Sequence, residues 1–171
     1  MSTALPQEMQ QHTYAIMDRV EDSHWWFVGR RAILESFLTQ IVQQFPTPHS
    51  TLRILDVGCG TGANIEMLSQ FGGAEGVDVS DDALEFCRKK GLTVQKGLAE
   101  TLPYADETFD ITTALDVIEH LDDDIAGLSE MHRVTKTNGY SLIFVPAYMW
   151  LWGVQDDISH HRIRYTRKQI V

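Results

Sequence analysis

The sequence predicts a doubly wound α/β domain, a parallel sheet covered by helices on both faces. Three observations carry that prediction. Strand-like and helix-like segments alternate between residues 53 and 148, which implies right-handed crossovers between parallel neighbours. The strand interiors are hydrophobic, with little of the polar alternation of a strand that faces water on one side. A glycine run, LDVGCGTGA at residues 55–63, falls where the first strand turns into its helix.

In chain order, residues 7–20 read as a weak helix, and DSHWWFVG then sets bulky aromatics over a turn. From Arg30 to Phe45 the apolar residues Ile33, Leu34, Phe37, Leu38, Ile41, Val42 and Phe45 recur at helical spacing, which predicts an amphipathic helix with one buried stripe. FPTPHS, residues 45–50, is the linker-like stretch. It divides a helical prelude or lid, 1–50, from a core domain, 51–171. RILDVG is the first strand, NIEMLSQF a helix and AEGVDVS the second strand; DDALEFCRKK is a helix opened by Ser80 with acids in its first turn. LTVQK is the third strand and FDITTALDV the fourth. DIAGLSEMHRVT is a helix, Asn138-Gly139 a turn, YSLIFVPAY the fifth strand, and a further helix begins after Tyr165.

Composition narrows the function classes. With 43% hydrophobic residues, four Trp, five Tyr and seven Phe in 171 residues, the chain can build a core, and no apolar run approaches the ~20 residues of a membrane span. MSTALPQEMQQ lacks the basic start and apolar core of a secretory signal, so a cytoplasmic location is expected. Cys59 and Cys87 lie in different elements and form no CxxC pair, which predicts reduced thiols. A net charge of −10 opposes a broad nucleic-acid surface and favours a cationic ligand. HHRIRYTRK, 160–168, is a local basic exception that reads first as a solvated loop and helix start.

In a doubly wound sheet, ligands bind beyond the carboxyl ends of the strands. Gly58, Gly60 and Gly62 fall there, able to take positive φ and to let a ligand lie against bare backbone. The run also fits the looser G-x-G-x-x-G/A pattern of dinucleotide binders, and Asp78 follows about 20 residues later. A carboxylate there accepts from ribose hydroxyls, which NAD and S-adenosylmethionine share. Asp56 discriminates: a fixed negative charge disfavours a pyrophosphate and favours an ammonium and a sulfonium.

Beyond that loop the chain resembles the class I S-adenosylmethionine-dependent methyltransferases. LDVGCGTG matches their first motif. GVDVS at 76–80 resembles the ribose-binding motif, GLAETLPYADETFD at 97–110 the segment along the adenine, ALDVIEHLDD at 114–123 the close of the fourth strand, and VTKTNGYSLIFVPAY the turn and fifth strand. The likeness runs in order over residues 52–148, while HWWFVGRR and DDISHHRIRYTR resemble a bacterial subgroup. It implies a Rossmann-like, mostly parallel sheet of order 3-2-1-4-5 and S-adenosylmethionine as cofactor. Gly58, Gly60 and Gly62 would pass under the methionine and ribose, Asp56 would hold the amino group directly or through water, and Asp78 would take the ribose. Val79 would pack on the adenine, Leu98, Ala99 and Glu100 would edge it, and the backbone near Leu115 and Asp116 would meet the methionine. Many relatives carry an aspartate where this chain has Leu98, which shifts adenine recognition to backbone groups or Glu100.

Methyl transfer from a sulfonium is an in-line displacement, so the protein has to align the partners and, for a hydroxyl or amine, remove a proton. His120, beyond the fourth strand, is the candidate base; a cap or packing group is the plainer reading. Asp116, Glu119 and His120 form D-x-x-E-H, similar to the E-x-x-E-H that binds a divalent metal in some small-molecule and RNA methyltransferases. His160 or His161 is a further candidate ligand, and a structural Glu119 the alternative. Trp25, Trp26 and Phe27 are candidates to roof the cofactor or acceptor, with Arg30 or Arg31 reaching a carboxylate; packing the prelude onto the sheet is the competing role. Tyr148, Trp150 and Trp152 follow the fifth strand, where acceptor loops sit.

The expected acceptor is a small molecule, free or linked to lipid or sugar. The alternatives are an NAD-dependent oxidoreductase and a non-catalytic cofactor-binding or assembly module. The family usually adds a sixth strand and an antiparallel seventh. Their absence before Val171 predicts a fragment with an exposed fifth-strand edge, through which copies of the chain would associate.

Overall fold

A computed structural model describes residues 11–170. Its five strands are β1 (Arg53–Val57), β2 (Gly73–Asp78), β3 (Val94–Lys96), β4 (Phe109–Leu115) and β5 (Thr135–Phe144). They form one sheet of order β3-β2-β1-β4-β5, the order expected, and all four pairings are parallel. The helices are α1 (Gln11–Val20), α2 (Trp25–Val42), α3 (Ala63–Leu68), α4 (Asp81–Lys89), α5 (Asp124–Val134), α6 (Val154–Ile158) and α7 (Arg167–Ile170). Residues 7–10 of the expected first helix lie outside the described residues. No described helix is long and apolar enough to cross a membrane.

Local chemistry explains the boundaries. Ser80 caps α4, its side chain accepting from Ala83 N–H, with Asp81 and Asp82 in the positive first turn and Arg88 and Lys89 in the last. Asp123 caps α5 by accepting from Ala126 N–H at 2.9 Å. His24 caps α2 through Nδ1, which accepts from Trp26 N–H. That cap starts the helix at Trp25 rather than Arg30, so Trp25, Trp26 and Phe27 occupy its first turn instead of a loop.

The sheet divides the core. Leu55, Val57, Val77 and Ala114 pack with Ile118, Met131, Val134 and Tyr165, while Ile54, Ile111 and Leu115 pack with α2 and α3. From α2 only the Leu34–Leu38–Val42 ridge is buried there. Ile33 and Phe37, expected in the same buried stripe, are 52% and 51% exposed, because the adjacent helical ridge points away from the sheet.

The Asn138-Gly139 turn is a bulge inside β5. Pairing advances from Phe109–Thr135 to Ile111–Tyr140, two residues on β4 against five on β5, and Asn138 takes φ 66°. Among the described residues β5 is an edge strand.

Candidate functional site

A cleft of about 1620 Å³ opens over the carboxyl ends of the strands, more than one small ligand fills. One end is lined by Gly58, Gly60 and Asn64 of the β1–α3 loop, Asp78 and Val79 after β2, and Leu98, Ala99 and Glu100. The other end is lined by Leu115, Asp116, His120, His160 and His161, with Trp25, Trp26, Phe27 and Arg30 along the rim.

Gly58, Gly60 and Gly62 have φ of 69°, 54° and 92°. A Cβ on Gly58 would lie 2.5 Å from Val117 Cγ2, whereas one on Gly60 would meet nothing within 4 Å among the described residues. The main chain at Gly60 therefore borders open space, where a ligand can reach it. Gly62 and Asp56 do not line the cleft.

Asp78 fixes this loop. Its Oδ2 accepts from Gly60 N–H at 2.8 Å and its Oδ1 from Ser80 N–H at 2.9 Å. Burial raises its pKa, while these backbone donors oppose the rise. Each oxygen keeps a lone pair for a further donor. Asp56, by contrast, is buried beneath the loop: Oδ1 accepts from Thr113 Oγ1 at 2.6 Å, and Oδ2 is buried without a hydrogen-bond partner among the described residues. Burial pushes its pKa up to about 7. Both thiols are free and buried, and Cys87 donates to the Gly60 carbonyl at 3.2 Å.

The prelude is bound to both ends of the cleft. Thr61 in the loop donates to Glu21 Oε1 at 2.5 Å, and Lys90 Nζ donates to Thr61 O at 3.2 Å while lying 2.9 Å from Asp18 Oδ1. At the other end Arg30 is paired with Asp116, which stands at φ 59° just past β4. Arg30, expected to reach a ligand carboxylate, is thus committed to an internal one. Burial raises the pKa of Asp116, against the opposing charge of Arg30.

Beyond Asp116, residues 118–120 form a single 3₁₀ turn. Glu119 is 0% exposed, and neither carboxylate oxygen has a hydrogen-bond partner among the described residues. Burial pushes its pKa up to about 8. His120 is pushed down to about 4, first by burial and then by His161, so its imidazole is neutral at pH 7. The His120 and His161 rings meet edge-on with centroids 4.8 Å apart. His161 Nδ1 lies 2.8 Å from Asp156 Oδ1, and Arg164 donates to both oxygens of Asp156 at 2.8 and 2.9 Å. Those bonds hold the Asp156 carboxyl well below the usual range. One ligand atom from each of Glu119, His120 and His161 lies within 4.8 Å of the others, the one such metal-capable group among the described residues.

The aromatic candidates divide. Trp25, Trp26 and Phe27 line the cleft, Trp25 with 74% of its surface exposed. Tyr148, Trp150 and Trp152 do not line it; Leu151, between them, does. Sequence reasoning passed over Glu21, Thr61, Thr113 and Asp156. The signal for Asp156 was present in the acids just before the basic run, but only the fold returns that segment to the end of β4.

A family model described as a methyltransferase domain matches residues 55–143, from inside β1 to the end of β5. The chain belongs to the class I S-adenosylmethionine-dependent methyltransferase family. That membership sets aside the oxidoreductase alternative. The methyltransferase domain is 35% identical over 98 residues to demethylmenaquinone methyltransferase of Chlorobaculum parvum, covering 55% of this chain and 41% of that protein. It is 31% identical over 126 residues to the ubiquinone biosynthesis O-methyltransferase of Methylococcus capsulatus, covering 67% and 53%. The chain thus spans about half the length of the curated relatives it matches, or less. Among solved structures, a SAM-dependent methyltransferase of Thermotoga maritima superimposes with a TM-score of 0.60 at 27% identity, covering 93% of this chain and 77% of that one.

Proposed function

We propose that the chain binds S-adenosylmethionine across the β1–β2 end of the cleft and passes its methyl group by in-line displacement to a small-molecule acceptor at the β4–β5 end. The observation that carries this reading is the pairing of an open main chain at Gly60 with the Asp78 carboxylate that fixes it, 2.8 Å away. A Cβ at Gly60 would project into free space and Asp78 retains accepting capacity, so the site fits a ribose against bare backbone. S-adenosylmethionine supplies a methyl already activated by a positive sulfur.

The work left to the chain is binding and alignment. Asp78 would accept from the ribose hydroxyls, and Val79, Leu98, Ala99 and Glu100 would flank the adenine. The glycine loop and the backbone at Leu115 and Asp116 would carry the methionine portion. Asp56 would act from beneath, through the loop, because it does not reach the cleft wall. At the far end the neutral imidazole of His120 is available to an acceptor hydroxyl. The two relatives act, by their names, on demethylmenaquinone and in ubiquinone biosynthesis; an aromatic hydroxyl or ring carbon of a quinol, including a lipid-linked one, is the acceptor class proposed here.

Calorimetry with S-adenosylmethionine, S-adenosylhomocysteine and NAD is the test. Binding of the first two and not of NAD is expected; NAD binding, or none of the three, would refute the reading. Transfer of labelled methyl to a hydroquinone panel then examines the acceptor class.

A further inference from the structure

We infer that the outward face of α2 is an interface at which a second copy of this chain docks, helix against helix. The inference is independent of the methyl-transfer reading, because Gly29, Ile33 and Phe37, at the middle of that face, lie outside the lining of the cleft.

The first support is the chemistry of the face. α2 is apolar on two sides: the Leu34–Leu38–Val42 ridge is buried on the sheet, while Trp25, Trp26, Val28, Ile33 and Phe37 are exposed. A helix that is apolar all round is ordinarily covered all round. Every exposed residue of α2 is uncharged, in a chain whose net charge is −10. Two such chains repel each other broadly, and an uncharged face is where they can meet without opposing like charges. The polar groups on it are partly satisfied by the helix itself: Thr39 Oγ1 donates to Glu35 O at 2.8 Å and Gln40 Nε2 to Ser36 O at 3.2 Å. Those bonds persist when the face is covered, which spares the cost of stranding a buried donor.

The second support is shape and area. Trp26, Ile33 and Phe37 form a row of large side chains along the helix, and Gly29, Ala32 and Ser36 form a row of small ones beside it. A twofold axis running along α2 sets the large row of each copy against the small row of the other, the reciprocal fit of an isologous interface. Gly29 has no reason within the chain: a Cβ there meets nothing within 4 Å among the described residues, and glycine is among the least favourable residues in a helix interior. Close approach of a second helix supplies the reason. Trp25, Trp26 and Phe37 alone offer on the order of 300 Å² of exposed surface, toward the ~800 Å² that each partner contributes to a stable interface.

A lipid surface fits this face less well than a second copy. Helices that lie on membranes flank their apolar side with Lys and Arg; the exposed residues of α2 supply neither, and the negative chain is repelled by anionic lipid.

The test is sedimentation equilibrium of the 171-residue chain, from about 1 to about 200 µM. The 19.4 kDa chain should reach the mass of a dimer with a Kd on the order of 10 µM. Ile33→Glu places like charges opposite each other and Gly29→Leu fills the small row; each should weaken the dimer at least ~10-fold. Ile125→Ser, at an exposed position on α5, should leave it unchanged. Positions 29 and 33 are open in the single chain, so circular dichroism and thermal melts at about 1 µM, below that Kd, should show both variants folded and the loss confined to association. If Gly29→Leu does not fold, Ile33→Glu decides alone. A wild type that stays monomeric at about 200 µM would overturn the inference. So would a dimer that survives in the folded variants, which belongs to another face such as the β5 edge, or wild-type binding to equimolar phosphatidylcholine–phosphatidylglycerol vesicles that Ile33→Glu abolishes.

Discussion

At one end of the cleft the carboxylate of Asp78 accepts from two main-chain N–H groups; buried behind the wall of the other end, the carboxylate of Glu119 accepts from none among the described residues. The partners of Asp78, Gly60 and Ser80, come from one loop and the residues after one strand. The surroundings of Glu119 come from three distant segments: Arg30 in α2, residues 116–121 after β4, and 156–164 near the C-terminal end of the described chain. The hydrogen bonds of Asp78 thus close within residues 60–80, whereas the surroundings of Glu119 exist only after long-range assembly. A short pattern can specify the first and cannot specify the second.

The largest expected effect tests whether the Asp78 end is as self-contained as this. Asp78→Ala removes the acceptor of two N–H groups and the proposed ribose contact together, so S-adenosylmethionine binding should fall at least ~100-fold, about 3 kcal/mol. Calorimetry reads this, and a loss of under ~5-fold would erase the contrast between the two ends.

Next comes the ion pair that joins the prelude to β4. Arg30→Ala leaves the Asp116 carboxylate half-buried and alone, and should cost roughly 2–4 kcal/mol in urea unfolding. The double variant with Asp116→Ala should recover at least half of that. Full additivity would show that the pair contributes nothing.

Asp56, beneath the same loop, is the exception, an acid with one oxygen unpaired among the described residues. Its folded pKa of about 7 exceeds its ordinary 3.8 because of burial. The native state therefore holds a proton that the unfolded chain releases. The corresponding stability is complete below about pH 4 and is lost as pH rises through 7. Asp56→Asn, which cannot ionise, should gain roughly 4 kcal/mol on the wild type between pH 4 and pH 8. Parallel melting curves at the two pH values would exclude an ionising Asp56.

The smallest effects fall on exposed apolar residues. Phe37→Ser and Trp150→Ala should change stability by ~0.5 kcal/mol or less, whereas Leu38→Ala, one position from Phe37 but inside the core, should cost ~2–5 kcal/mol.

Legibility followed the same division. The parallel, doubly wound sheet, the glycine loop and the position of Asp78 could be read because apolar runs, φ-permissive residues and their spacing are local, whereas the strand order came from the resemblance to the family. The expected stripe from Ile33 to Phe45 failed at Ile33 and Phe37 because periodicity places residues on a helix and does not say which ridge meets the sheet. The start of α2 was misplaced because His24 is an uncommon cap. The commitment of Arg30 to Asp116, 86 residues away, depends on tertiary approach, and no pattern in the chain encodes it. The Asn138-Gly139 pair shows the intermediate case: its left-handed bend was foreseeable, its absorption into a strand as a bulge was not.

The bond from Thr61 to Glu21 spans the glycine loop and the end of α1. Whatever stiffens that loop must also slow the opening of the N-terminal helices, and loosening those helices must in turn weaken the grip of the loop. Slower amide exchange over residues 11–20 when the donor nucleoside is added is the thermodynamic corollary of that one hydroxyl.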